Sequence, residues 1–326
     1  MPQPAWPVAA GLAVGLAADA LLGDPRRFHP VAGFGSVAGA LERRVHRDSR
    51  PAGAAYAAGL TAATVGLGAV VVAGRSPRQL VALTALATWS VVGGTSLRRE
   101  AAAMSALLDA GDLEAARQRL SHLCGRDPSS LDGAGLARAT VESVAENTSD
   151  AVVGPLVWGA VAGVPGLLAY RAVNTLDAMV GHRSPRYVRF GWAAARTDDL
   201  ANLLPARLSA VLAVACAPLV GGRPGSALRA WRRDGGKHPS PNAGPVEAAF
   251  AGALGRTLGG RLSYAGRVED RPLLGDGPAP DVADIPRAAR LSAAVTVTAA
   301  LVAVSARLLA GSLRSRRAAG RPGRAP

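Results

Sequence analysis

Six acids and three amides fall between residues 142 and 202, in groups with helical spacing. Glu142 and Glu146 are four apart, so a helix puts both carboxylates on one face, with Asn147 and Asp150 on the neighbouring face. Asn174 and Asp177 repeat a helical spacing, and Arg196, Asp198, Asp199 and Asn202 form a third group. Carboxylate and amide oxygens in this number could hold a divalent cation. They could equally form a polar helix end, with Asp150 capping the helix that follows; the spacing admits both. A fourth polar stretch, residues 234–247, holds Lys237 and His238, and Lys237 is the single lysine of the chain. A compact ammonium among arginines suits phosphate oxygens or an amine with a movable pKa, and a solvated surface charge is the plain alternative.

The elements that must position these groups are apolar. Residues 6–22, 52–74, 79–97, 203–219 and 291–310 form runs almost free of charge, each near the length of about 20 residues that a spanning helix needs. Acids next to such segments are costly and serve either structure or chemistry. The run 151–170 is uncharged too, but Gly154-Pro155 and Gly163-Val164-Pro165-Gly166 interrupt it. A broken or re-entrant segment is predicted there, a form tolerated where protein covers the backbone. It would keep the polar clusters before and after it on one side of the membrane. The first run lacks a preceding Lys or Arg, so it reads as a retained helix and not as a cleaved leader.

The expected class is all-α: a polytopic helical membrane protein with a broken or re-entrant segment and amphipathic connecting helices. One helical membrane domain is expected over residues 1–311. Its polar loops are 23–50, 98–150, 171–202 and 223–290, followed by an Arg-rich disordered tail over 312–326. Within these loops residues 267–287 are rich in Pro and Gly and read as a loop. In the run 203–219, Arg207 is placed to reach the membrane interface. Arg is plentiful in nearly every loop, so charge does not orient the chain. The net charge of +14 does not point to nucleic acid, because no basic block is interleaved with aromatics. Cys124 and Cys216 are far apart with no CxxC partner and read as packing residues.

Gly23-Asp24-Pro25 with His29-Pro30, the run from Glu142 through Glu146, Asn147, Thr148 and Ser149 to Asp150, and Asn174-Thr175-Leu176-Asp177 occur in that order. Phe190-Gly191-Trp192 with Arg196, Asp198, Asp199 and Asn202 follows, then Lys237-His238-Pro239-Ser240-Pro241-Asn242-Ala243-Gly244. Together these segments resemble the adenosylcobinamide-phosphate synthase family of cobalamin biosynthesis, the CobD/CbiB proteins, over nearly the whole chain. Two departures stand out. Pro245-Val246 precede Glu247 where the family usually has an aromatic and Pro, and His182 stands where an aromatic is common.

The resemblance implies a multi-pass enzyme of the cell membrane. It would join adenosylcobyric acid to aminopropanol or its phosphate through an amide bond, with ATP as co-substrate. A carboxylate is a poor acyl donor until converted to something like an acyl phosphate, which calls for magnesium and for cations facing phosphates. No Walker A sequence is present. On this reading Glu146, Asp150, Asp177, Asp198 and Asp199 supply metal ligands or a base, with Glu146, Asp150 and Asp199 the magnesium set. Lys237, His238 and Arg196 hold phosphate or the corrinoid carboxylate, Asn147, Asn174 and Asn242 orient amides, and Asn202 is a further substrate contact. Arg26 and His29 offer further anion contacts, or simply belong to a surface loop. Expected partners are the corrinoid, the amine, membrane lipids and other corrinoid-assembly enzymes. A transporter or a non-catalytic scaffold for the same corrinoid is the alternative, since broken helices flanked by acids also build carrier sites.

Overall fold

The computed structural model describes residues 3–25, 29–125, 127–264 and 267–319. The first helices are α1 (Ala5–Leu22), α2 (Pro30–Val45), α3 (Arg50–Val72), α4 (Pro77–Val91), α5 (Gly94–Asp109), α6 (Leu113–Leu120) and α7 (Gly133–Thr148). A π-helical turn, Ser149–Val153, leads into α8 (Gly154–Ala162) and α9 (Val164–Leu176), and a second, Asp177–Gly181, follows. The chain continues through α10 (Trp192–Ala201), α11 (Leu203–Cys216), α12 (Pro224–Asp234) and α13 (Ala243–Leu254). It ends with strands β1 (Leu258–Tyr264) and β2 (Arg267–Leu274) and α14 (Asp284–Ala319). Among the described residues, five helical stretches are long and apolar enough to cross a bilayer: Ala5–Leu22, Arg50–Val72, Pro77–Asp109, Leu203–Val220 and Asp284–Arg316. The fold is that of an all-α polytopic membrane protein.

Its contacts group into two compact units, each drawn from separate parts of the chain, where the sequence led us to expect one domain. The first gathers Met1–Val92, Pro155–Asp198 and Ala300–Pro326. In it α1 lies against α4, with Gly11 and Gly15 facing Thr84 and Thr88; a Cβ on Gly15 would stand 2.5 Å from Thr88 Cβ. Small residues four apart allow such close approach in lipid, where dispersion and interhelical hydrogen bonds replace the hydrophobic drive. α3 packs on α9, and Gly53 of α3 abuts the Phe190 carbonyl, where no side chain fits. Around Phe190 are buried Ala38, Tyr56, Leu176 and Val180.

The expected break is present, at one of the two places that the sequence marks. Gly163 takes φ 67° and ψ −143°, a conformation open essentially to glycine alone, and separates α8 from α9. Pro155 does not break the helix. It lacks an N–H for the Ala151 carbonyl, and that carbonyl instead accepts from Gly93 N–H at 3.1 Å. The π-helical turn just before Pro155 widens the helix where the ring would otherwise meet the preceding turn.

The second unit gathers Gly93–Gly154 and Asp199–Ala299. Its centre is α13, buried at every residue from Ala243 to Leu254 and built mainly of Ala and Gly. α12 comes close enough that a Cβ on Gly252 would stand 2.7 Å from Ala227 Cα. Residues 267–274, expected within a loop, instead form β2, antiparallel to β1 with a register shift between Leu258 and Gly260. Gly259 and Gly260 (φ 86° each) make that bulge, which Pro and Gly content alone does not distinguish from a loop. At the other end, α14 remains helical through Ala319, so residues 312–319 of the expected disordered tail are helix.

Candidate active site

The acids of the second unit start on α7, whose buried face runs through Val141, Glu142, Val144 and Ala145. Glu142 is 5 % exposed and its Oε1 accepts from Gly259 N–H at 2.8 Å. The bulge therefore has a use: it turns a backbone donor out of the strand pair and onto a buried carboxylate. One turn on, Glu146 is exposed, and Asn147 donates its amide hydrogens to Ser143 O at 2.9 Å and Ser143 Oγ at 3.0 Å. Asp150 lies half-buried inside the π-helical turn, which packs against α11. It is not the cap of a new helix, because the backbone stays helical through it. Turns of this kind often sit at functional sites.

Facing Glu142 is the segment between α12 and α13. His238 is buried, with Glu247 Oε1 at 4.0 Å from its Nε2 and Arg271 Nη1 donating to that same Nε2 at 2.8 Å. A guanidinium can only donate, so Nε2 accepts from Arg271, while Nδ1 lies 3.0 Å from Ser240 N and 3.4 Å from Ser240 O. Burial first, and then the Arg271 charge, hold the imidazole below its ordinary pKa, so it is neutral at physiological pH. Glu247 is itself 6 % exposed, in the middle of the fully buried α13. Two buried carboxylates and a buried imidazole thus lie with a half-buried guanidinium, an arrangement that is costly unless its members are mutually paired.

Lys237 and Asn242 have firm partners. Lys237 Nζ reaches Asp234 Oδ1 at 2.8 Å, and Asp234, 1 % exposed, also takes Arg233 Nη2 at 2.6 Å and Gly275 N–H at 2.9 Å. Hydrogen bonds from Arg233 above all, then from Lys237 and Gly275, hold the Asp234 carboxyl well below the usual range. Asn242 Nδ2 donates to Asp199 O at 2.8 Å and its Oδ1 accepts from Arg207 Nη1 at 2.7 Å. Arg207 therefore turns inward to a loop amide instead of reaching for the membrane interface. Asn202 is buried at the start of α11. Beside this segment a cavity of about 460 Å³ opens between Arg207, Trp231, Arg232 and His238.

The first unit holds a smaller polar group. Asn174 Nδ2 donates to Asp198 Oδ1 at 3.5 Å and its Oδ1 accepts from Arg171 at 3.4 Å. Asp177 opens the second π-helical turn, and its carboxylate lies over Gly181, where a Cβ would collide with Oδ1. Arg196 is exposed on α10. His29 caps α2, its Nδ1 accepting from Val31 N–H at 3.2 Å. Arg26 lies outside the described residues.

A family model described as CobD/Cbib protein matches residues 12–292. The chain belongs to the CobD/Cbib family. It is 56% identical over 298 residues to "Cobalamin biosynthesis protein CobD" of Mycobacterium tuberculosis (strain ATCC 25618 / H37Rv), covering 91% of this chain and 95% of that one. Identity to the protein of the same description from Chromobacterium violaceum is 42% over 313 residues, covering 93% and 98%. For that of Geobacter metallireducens it is 44% over 265 residues, covering 79% and 83%. No solved structure matches the chain.

For this CobD/Cbib member, the sequence motifs mark the stretches that carry the clusters but not all the groups within them. The sequence carries no signal for Arg271 or Asp234 as site residues. Arg271 sits in a stretch that reads as loop, and Asp234 looks like one more helix-end acid until its burial is known. Among the described residues no three acids, histidines or cysteines are grouped to hold a metal by themselves. Magnesium usually keeps several waters and shares substrate phosphates, so one or two carboxylates suffice. The oxygen donors of Glu146, Asp150 and Asp199, all in the second unit, are of the right chemical type.

Proposed function

We propose that this chain is a multi-pass ligase of the cell membrane that works in cobalamin biosynthesis. It forms the amide bond between adenosylcobyric acid and aminopropanol or its phosphate, with ATP as co-substrate. The observation that carries the chemistry is the buried His238, which lines a cavity between Arg207 and Arg232 and has buried Glu247 at 4.0 Å, half-buried Arg271 donating to its ring and the charge of buried Glu142 acting on it. Arginines at an open cavity suit a phosphate, and a neutral, buried imidazole beside carboxylates suits proton handling.

In the proposed sequence the γ-phosphoryl group of ATP passes to the corrinoid carboxylate oxygen, giving an acyl phosphate and ADP. The amine nitrogen then attacks the acyl carbon; the C–N bond forms, the C–O bond to phosphate breaks, and inorganic phosphate leaves. The ammonium proton goes to a carboxylate of the set Glu146, Asp150, Asp177, Asp198 and Asp199. Magnesium, held by Glu146, Asp150 and Asp199, would supply positive charge to the phosphate oxygens. Arg207, Arg232 and Lys237 would bind and orient the phosphates. Asn242 positions Arg207, and Arg271 keeps His238 neutral. Asn147, Asn174, Asn202 and Arg196 remain in the proposal as substrate-orienting groups, and His29 as an anion contact. Other corrinoid-assembly enzymes are proposed neighbours in the membrane.

The test is a product assay on detergent-solubilised protein with adenosylcobyric acid, aminopropanol phosphate, ATP and magnesium, read by mass spectrometry of the corrinoid. A condensed product that needs ATP and disappears with a magnesium chelator is expected. Corrinoid bound to folded protein with no product would overturn the ligase and leave the carrier.

A further inference from the structure

A cavity in the first unit is lined by none of the proposed site residues. It has a volume of about 820 Å³ and is lined by Arg75, Arg307, Arg314 and apolar groups including Val72, Leu80 and Pro165. That size falls within the range of small-molecule pockets, roughly 300–1,000 Å³. Its place is defined by the spanning helices. It is bounded by the turn between α3 and α4, by the residues just before α1, and by the break between α8 and α9. A turn joining two spanning helices stands at the membrane surface.

Arg307 is the unusual group. It is 6 % exposed, and its Nη atoms donate to backbone carbonyls: Gln3 at 2.7 Å, Ala160 at 3.2 Å and Val161 at 3.3 Å. Among the described residues its buried Nε has no hydrogen-bond partner. Arg314 adds a second positive charge beside it, and no acid among the described residues lines the cavity. Gln3 Oε1 is also buried at this place with no partner among the described residues. Backbone carbonyls satisfy donors but do not neutralise a charge, and a buried charge is costly unless paired. The cavity therefore joins three arginines at the membrane surface to an apolar wall formed by the ends of spanning helices. An amphipathic anion meets both requirements at once.

We propose that this cavity binds one anionic phospholipid, with its headgroup phosphate on Arg307, Arg75 and Arg314 and the start of an acyl chain along Val72, Leu80 and Pro165. The site is independent of the ligase reading and stands or falls separately from it. Arg75 and Arg314 are exposed and can be changed without disturbing the buried Arg307 contacts.

Full-length protein, delipidated in detergent, is titrated with phosphatidylglycerol or phosphatidylcholine of the same chains, and bound lipid is counted by native mass spectrometry. Phosphatidylglycerol is expected to bind at least about ten-fold more tightly than phosphatidylcholine, because the choline cation would set a like charge against the three arginines. Arg75→Gln with Arg314→Gln should remove most of that preference, whereas Arg223→Gln, exposed and outside the cavity, should keep it. Equal binding of the two lipids overturns the proposal, as does an undiminished preference in the double variant. Complete displacement by glycerol phosphate overturns the lipid assignment in favour of a soluble phosphate ligand.

Discussion

Gly236, between α12 and α13, and Gly244, inside α13, should respond differently to the same small change. Gly244 is the second residue of the buried α13, and a Cβ there would meet the Gly235 carbonyl and come within 2.6 Å of His238 Cβ. Ordinary contact begins near 3.4 Å, so Gly244→Ala must push the His238 backbone away by about 0.8 Å, or drive α12 and α13 apart. Overpacking of this kind costs about 1–3 kcal/mol. Its effect on chemistry should be larger, because a misplacement near 1 Å can cost about 100-fold in rate. His238 cannot follow passively, since Arg271 and the Ser240 backbone hold its two ring nitrogens. Gly236, two residues before His238, has open space where a Cβ would go. Gly236→Ala should stay within about 0.5 kcal/mol of the parent, as surface changes usually do. Both proteins would be melted in detergent and assayed for the condensed corrinoid. We expect Gly244→Ala to fold, melt lower and turn over about 100-fold more slowly, with Gly236→Ala close to the parent. A fully active Gly244→Ala would refute the claim that close packing of α12 on α13 sets the position of His238.

Three further outcomes follow from the same geometry. Asp234→Asn tests the buried carboxylate beneath Arg233 and Lys237. Its folded-state pKa lies below the unfolded value near 4, so its stabilisation is complete above about pH 4 and is lost as pH falls further. The variant should lose that acid-side slope in melting scans extended from pH 6 down to pH 2, and an identical slope would contradict the assignment. Arg271→Gln removes a charge that lowers the His238 pKa, so the acidic limb of the pH–rate profile should move to higher pH; an unmoved limb separates Arg271 from the chemistry. Glu146→Gln and Asp150→Asn should each reduce kcat by about 100-fold or more with unchanged melting. A folded variant at full rate takes its residue off the site.

Much of the fold was legible because its physics is one-dimensional. Membrane spans are set by the length and polarity of uninterrupted runs, and five such runs correspond to the five stretches of spanning length. The break at Gly163 was legible for a related reason: Gly before a Val-Pro pair marks a backbone that ordinary residues cannot adopt. The spacing of Glu142, Glu146 and Asp150 was equally plain, and the order of the motifs indicated the family.

Burial and pairing were not legible, because they depend on residues distant in sequence. Glu142 and Glu146 look alike at four-residue spacing, yet one is buried against a strand bulge more than a hundred residues away and the other is exposed. Lys237 stood out as the lone lysine, but only the folded chain shows its ammonium on Asp234. Arg207 read as a residue reaching for the interface and is a hydrogen-bond donor to Asn242. Arg307 lies in the apolar run 291–310, and the fold makes it a buried guanidinium on three carbonyls. The sequence alone determined which segments can enter lipid and which polar residues accompany them, because hydrophobic length and backbone permissiveness are local properties. Only tertiary structure decided which of those polar residues are desolvated and paired, because the free energy of a charge is set by what surrounds it in space.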